Sequence, residues 1–212
     1  PAIRDVLVSG GDPLTLSDGR LLGLLGRLRA IPHVEVLRIG TRVPITLPQR
    51  VTPALVRGLK RLHPLFVSLH VVHPKELAPE AGRACARLAD AGIPVGSQSV
   101  LLAGINDDEE TLRTLMHRLL RLRVRPYYLF QCDQIEGTAH FRTPLQKGID
   151  LMKTLIGRTS GYAVPKFAVD LSGGGGKVPL SPEYREGSEN GHLVFRNFAG
   201  ERFEYLDDLG DG

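Results

Sequence analysis

Asp170-Leu171-Ser172-Gly173-Gly174-Gly175-Gly176-Lys177 is the stretch richest in chemistry. Four consecutive glycines deliver one lysine to a set place, and each gives up more backbone freedom on ordering than any other residue. Such a run suits backbone that turns sharply or passes close to a ligand. A lysine at its end can be a Schiff-base nucleophile or a phosphate ligand. The bland alternative is a flexible surface loop with a solvated lysine.

Further constellations fall at the ends of apolar runs. Ser9-Gly10-Gly11-Asp12-Pro13 offers either a backbone edge for a ligand amine or carboxylate, or a turn capped by Asp12. His70 and His73 lie three apart; with no third ligand suggested, hydrogen bonding to a bound ligand suits them better than zinc, and capping of the next helix suits His73 better than His70. Gln98 stands in an otherwise buried run and needs partners for its amide, from a ligand or a neighbouring loop. Asp133 follows Tyr127 to Cys132, and Asp170 follows Phe167 to Val169. Two carboxylates converging on one cavity repel unless a cation lies between them, and a substrate ammonium is a natural candidate. Taken singly, each is equally readable as a loop cap or salt-bridge partner.

The elements that position these residues alternate. Strands are expected over 5–9, 34–39, 65–69, 94–102, 124–130 and 162–169. Helices are expected around Leu21–Leu28, from Thr52-Pro53 to Leu62, over 79–91, from the carboxylates after Asn106 to Leu122, and over 145–159. Beyond Pro182 a hairpin pairs 192–197 with 202–206. Alternation with short connections implies parallel strands with right-handed crossovers, whose chemistry sits at the carboxyl ends. The expected fold class is α/β, a partial (β/α) barrel over 1–181 with a small C-terminal hairpin extension over 182–212.

Composition narrows the function classes. A 42% hydrophobic, 24% charged chain of 212 residues is that of an ordinary globular protein with one sizeable core. No apolar run is long enough to span a membrane, and no membrane partner is expected. The net charge of +4 comes mostly from arginines scattered along helices, which does not point to nucleic acid. Cys85 and Cys132, the only cysteines, argue against a disulfide framework and fit a reducing cytoplasm; they supply no cluster for metal. The chain starts without methionine or signal peptide and enters a strand almost at once, which reads as a piece lacking its N-terminal part.

Taken in order, the segments resemble the lysine 2,3-aminomutase family of radical S-adenosylmethionine enzymes. The residues that carry this are Ser9 to Leu14, Arg38 to Arg42 with Leu47 to Arg50, His70 to Pro74, Gln98 to Leu102, Asn106-Asp107, Cys132-Asp133, His140 to Arg142, Asp170 to Pro179, and Arg196 to Phe198. The resemblance implies that Lys177 holds pyridoxal 5′-phosphate as an internal aldimine, with Gly173 to Gly176 close by. It implies that Gly10, Gly11, Asp12, His70 and Gln98 contact S-adenosylmethionine, and that Asp133 and Asp170 grip the distal ammonium of substrate lysine. The implied reaction is an isomerisation. A 5′-deoxyadenosyl radical from S-adenosylmethionine takes a β-hydrogen, the amino group migrates from the α- to the β-carbon, and hydrogen returns to the α-carbon.

The family's CxxxCxxC motif for a [4Fe–4S] cluster is not in this sequence, so the cluster ligands lie outside the chain, no metal ligand is assigned within it, and these residues alone are expected to be inactive. A free amino acid, lysine, is the expected substrate and a homo-oligomer the expected assembly. Alternatives are a relative that supplies β-lysine for modification of an elongation factor, an arginine 2,3-aminomutase, and a non-catalytic homologue that binds pyridoxal phosphate.

Overall fold

The computed structural model describes residues 3–171 and 173–207. Seven strands form one sheet in strictly sequential order: β1 (Asp5–Val8), β2 (Val36–Thr41), β3 (Leu65–His70), β4 (Val95–Leu101), β5 (Val124–Gln131), β6 (Lys166–Leu171) and β7 (Gly176–Leu180). Neighbours from β1 to β6 are parallel, and β7 returns antiparallel on β6. A parallel sheet that always advances in one direction through right-handed crossovers carries its helices on one face. The result is a curled half-barrel, with helices outside and a concave face left to other groups.

The outer layer comprises α1 (Asp18–Arg29), the short α2 (Val43–Thr46), α3 (Pro53–Lys60), α4 (Pro79–Asp90), α5 (Glu109–Arg121) and α6 (Leu145–Leu155). The core is the seam between this layer and the convex face of the sheet. Leu37, Ile39, Leu65, Val67 and Leu69 from the strands are buried with Leu21, Leu25, Leu55 and Leu59 from the helices, in one cluster that continues to Leu155 and Phe167. Full burial of each such side chain contributes about 1.5–3 kcal/mol. Alternation along β4 sends Val95, Ser97, Ser99 and Leu101 into this seam and leaves Gly96, Gln98 and Val100 on the concave face. No described helix is long and apolar enough to cross a membrane.

Most expected elements are present, with informative differences. Thr52 caps α3 by accepting from Leu55 N at 3.1 Å, with Pro53 in the first turn. Helix α6 stops at Leu155, short of Thr159, because Ile156 is extended and Gly157 turns left-handed at φ +75°. The strand expected from Tyr162 begins only at Lys166, since Gly161–Ala163 form a 3-10 turn. Strand β7 contains Pro179, which reads as loop; it sits at the sheet edge, where a missing N–H is tolerated. The expected C-terminal hairpin is β9 (His192–Arg196) with β10 (Arg202–Leu206), joined by a polar strand β8 (Arg185–Glu189) that alternation does not reveal.

Gly148 in α6 lies against the buried ring of Phe167, and a Cβ there would overlap the ring's far edge. Gly148→Ala gains about 1 kcal/mol of helix propensity and meets overpacking of about 1–3 kcal/mol. The enclosed ring decides the sign, so the thermal midpoint of this variant is expected to fall.

Candidate active site

The carboxyl ends of the parallel strands gather three polar clusters along one rim. The first follows β1. Gly10 and Gly11 have φ of +87° and +57°, which only glycine adopts without strain, and nothing lies within 4 Å of a Cβ built on either. Their backbone edge therefore faces open space. The Asp12 carboxylate is occupied internally: it accepts from Leu14 N at 3.0 Å, Thr41 Oγ1 at 2.7 Å and Arg42 N at 2.7 Å. Asp12 caps its turn and ties the ends of β1 and β2 together.

The second cluster lies on β3 and β4. His70 and Gln98 are register partners, and their side chains hydrogen-bond through the amide nitrogen and Nε2. An amide N–H donating to the Nε2 lone pair suits neutral His70. Burial pushes the His70 pKa down, the Arg42 guanidinium adds to the effect, and Asp12 opposes it. A register shift between Ser97 and Gln98 sets the pairing with β5 at this point. Gly40 joins the first two clusters: a Cβ there would lie 3.5 Å from Ser9 Cβ and 3.8 Å from His70 Nε2.

Two neighbours are supports. His73 Nδ1 accepts from Lys75 N at 3.1 Å, capping the next turn as its sequence context suggested. Asn106 is fully buried; it donates to Val72 O and Val100 O, both at 2.8 Å, and accepts from Leu102 N at 2.7 Å. The sequence reads Asn106 as part of a helix start, whereas it clamps the segments that follow β3 and β4.

The third cluster closes the sheet at β5, β6 and β7. A cleft of about 600 Å³ is lined by Gln131, Cys132, Asp133, Arg142, Val169 and Asp170 among others, so both aspartates singled out from sequence face one cavity. Lys177 lies opposite Asp170 in the β6–β7 ladder, with Nζ 2.5 Å from Oδ2 and 5.2 Å from the Phe130 ring centre. Phe130 stacks on Tyr128 at 4.9 Å. The hairpin that sets Lys177 needs its glycines: Gly173, Gly174 and Gly176 have φ of +70°, +85° and +72°, and a Cβ on Gly175 would lie 2.7 Å from Leu171 Cβ. The Asp133 loop is braced, with Thr138 Oγ1 donating to Asp133 O at 2.9 Å and Arg142 Nη2 to Ile135 O at 2.8 Å. Gln131 and the brace are not apparent from sequence. The Gln131 amide donates to Thr143 O at 2.6 Å, which leaves its Oε1 buried without a protein partner.

These residues suit an aldehyde cofactor. Lys177 is half exposed, an aromatic ring lies beside it, and the space around Gly173 and Gly174 is open to a planar group. They do not suit an iron–sulfur cluster, since Cys85 and Cys132 are the only thiols and stand on separate elements. Among the described residues no group of three or more His, Cys, Asp or Glu side chains is placed to hold a metal ion.

The state of His70 gives a pH dependence with a definite sign. A folded-state pKa below the ordinary value of about 6.5 means that the unfolded chain binds the extra proton first as pH falls. Stability is therefore full above pH ~6.5 and declines as pH drops through that value towards the folded pKa. Denaturant midpoints between pH 5 and 8 are expected to show this decline in the wild type and a flatter profile in His70→Gln, relative to the protein's other titrations.

A family model described as lysine-2,3-aminomutase matches residues 152–207. An L-lysine 2,3-aminomutase of Fusobacterium nucleatum is 54% identical over 94% of this chain and 47% of its own length. A glutamate 2,3-aminomutase of Clostridioides difficile is 44% identical over 97% of this chain and 49% of its own. Among solved structures, a domain of a pyruvate-formate lyase-activating enzyme from Bacteroides vulgatus superimposes with a TM-score of 0.54 at 15% identity, covering 77% of this chain and 97% of that domain, a likeness of fold alone. The chain spans about half the length of the curated relatives it matches. With the similarity running through nearly all of its residues, the chain belongs to the lysine 2,3-aminomutase family.

Proposed function

We propose that this chain supplies the substrate-binding half of an aminomutase that moves the α-amino group of lysine to the β-carbon, with residues 1–181 as the half-barrel and 182–212 as its extension. The observation that carries the reading is the third cluster: two carboxylates on one cleft, with a lysine on the adjoining strand. Asp133 and Asp170 bind a cationic side chain and fix the reach of the amino acid from that end. The same pair disfavours an anionic side chain, which separates this cleft from the substrate in the name of the glutamate-directed relative. A guanidinium also satisfies two carboxylates, so arginine is the second substrate by the same argument.

Lys177 supplies the amine that would hold pyridoxal phosphate, with Phe130 offering an apolar face beside it. The Gly10–Gly11 edge, His70 and Gln98 would meet S-adenosylmethionine along the rim. When bound, these cofactors supply radical formation and delocalisation, while the protein orients the amino acid and keeps solvent from it. The cluster that starts the radical would be held by residues outside this chain.

The test uses the relative-length protein, reconstituted without oxygen with iron, sulfide, pyridoxal phosphate and S-adenosylmethionine, and given reductant and labelled α-lysine. Mass spectrometry is expected to find β-lysine. Lys177→Ala abolishes it, and Asp133→Asn and Asp170→Asn each raise KM for lysine by at least about tenfold, the ~1.4 kcal/mol lost with a half-exposed charge contact. Undiminished product from Lys177→Ala contradicts the reading.

A further inference from the structure

Lys177 and Asp170 are directly opposite residues of an antiparallel ladder, and such side chains share one face within about 5 Å at Cβ. Their contact at 2.5 Å therefore follows from the backbone register. The glycine turn fixes that register, because three of its residues are left-handed and the fourth has no room for a Cβ. Lys177 is itself a primary ammonium on a four-carbon stem, the same group that the reading above brings to Asp170 in the substrate. Among the described residues the Asp133 carboxylate has no hydrogen-bond or ion-pair partner, although it lines the same cleft as Asp170. One of the two anions is thus occupied, and the other has no partner among the described residues.

We propose that Lys177 fills the substrate's cation subsite until it is loaded, so that aldehyde cofactor and cationic substrate enter in that order. This rests on the aminomutase reading and deepens it. In the unloaded protein the Lys177 ammonium competes for Asp170 with any incoming alkylammonium, and it is present at a far higher effective concentration. Loading removes the competitor. The ammonium gives a proton to solvent, the amine adds to the aldehyde carbon, and water leaves as the C=N bond forms. The nitrogen is then no longer a three-donor ammonium, and Asp170 joins Asp133 to receive the substrate. An amino acid cannot occupy the cleft productively before the cofactor that must act on it, which protects the site from a dead-end complex.

The test reads binding rather than turnover. The full-length protein without cofactor is titrated calorimetrically with 1,5-diaminopentane, which carries the cation and no carboxylate. Lys177→Met, which keeps the stem and removes the charge, is expected to bind at least tenfold more tightly than wild type, and the added Asp170→Asn change to abolish the gain. Should Lys177→Met fail to fold, the wild type is titrated before and after loading with pyridoxal phosphate, using butylguanidinium, which has no primary amine to condense with the aldehyde. A tenfold gain on loading supports the proposal. Unchanged affinity in either comparison, when the reconstituted wild type converts lysine, overturns it and leaves the aminomutase reading standing. Failure of every variant to bind either cation, together with no β-lysine, overturns both.

Discussion

Everything at the rim depends on one constraint: the strands of the parallel sheet follow one another in sequence order, with crossovers of a single hand. That arrangement commits the buried apolar core to the convex side, where Leu37, Ile39, Leu65, Val67 and Leu69 meet the helices. The concave side and the carboxyl ends are relieved of packing the core and can carry groups that a core would reject. His70, Gln98 and Asp170 stand there without disturbing the residues that stabilise the fold. The short links between polar clusters, such as the Asp12 carboxylate bridging the ends of β1 and β2, then set the spacing of the rim.

The glycines show how local backbone and site are coupled. Gly173 to Gly176 are expensive to order, and the ladder of β6 with β7 offsets that loss by pairing five residues on each side. The return is a lysine whose place is fixed by strand register instead of by a mobile loop. That place is next to an aspartate of the cleft, so on the proposed reading the cofactor-binding lysine and the cation subsite would share a carboxylate. An isolated amine could serve as well for holding an aldehyde; an amine that also gates a carboxylate links two binding events through one charge.

Much of this was legible in the residues. Alternating apolar runs and capping signals such as Thr52-Pro53 mark the half-barrel, and carboxylates after apolar strands mark the cleft. What escaped depended on tertiary geometry. Strand β7 hides behind a proline and a glycine because only its position at the sheet edge makes both acceptable. Asn106 looks like a helix cap because the bond that ties it to the segment after β3, from its amide to Val72 O, is long-range. Asp12 reads equally as a ligand contact or a cap; in the folded chain its oxygens are taken by backbone and hydroxyl donors, which leaves Gly10 and Gly11 as the open part of that segment. The pairing of Lys177 with Asp170 is a matter of register across a hairpin, which spacing alone does not fix.

The central claim is that Asp133 and Asp170 form a cation subsite served by Lys177. Its most direct test is a crystal structure of the full-length protein with pyridoxal phosphate and lysine bound. The account predicts the lysine side-chain nitrogen between the two carboxylates, with the cofactor ring beside Phe130 and Lys177. A lysine whose distal nitrogen lies away from both aspartates, or a cofactor seated elsewhere on the sheet, contradicts it.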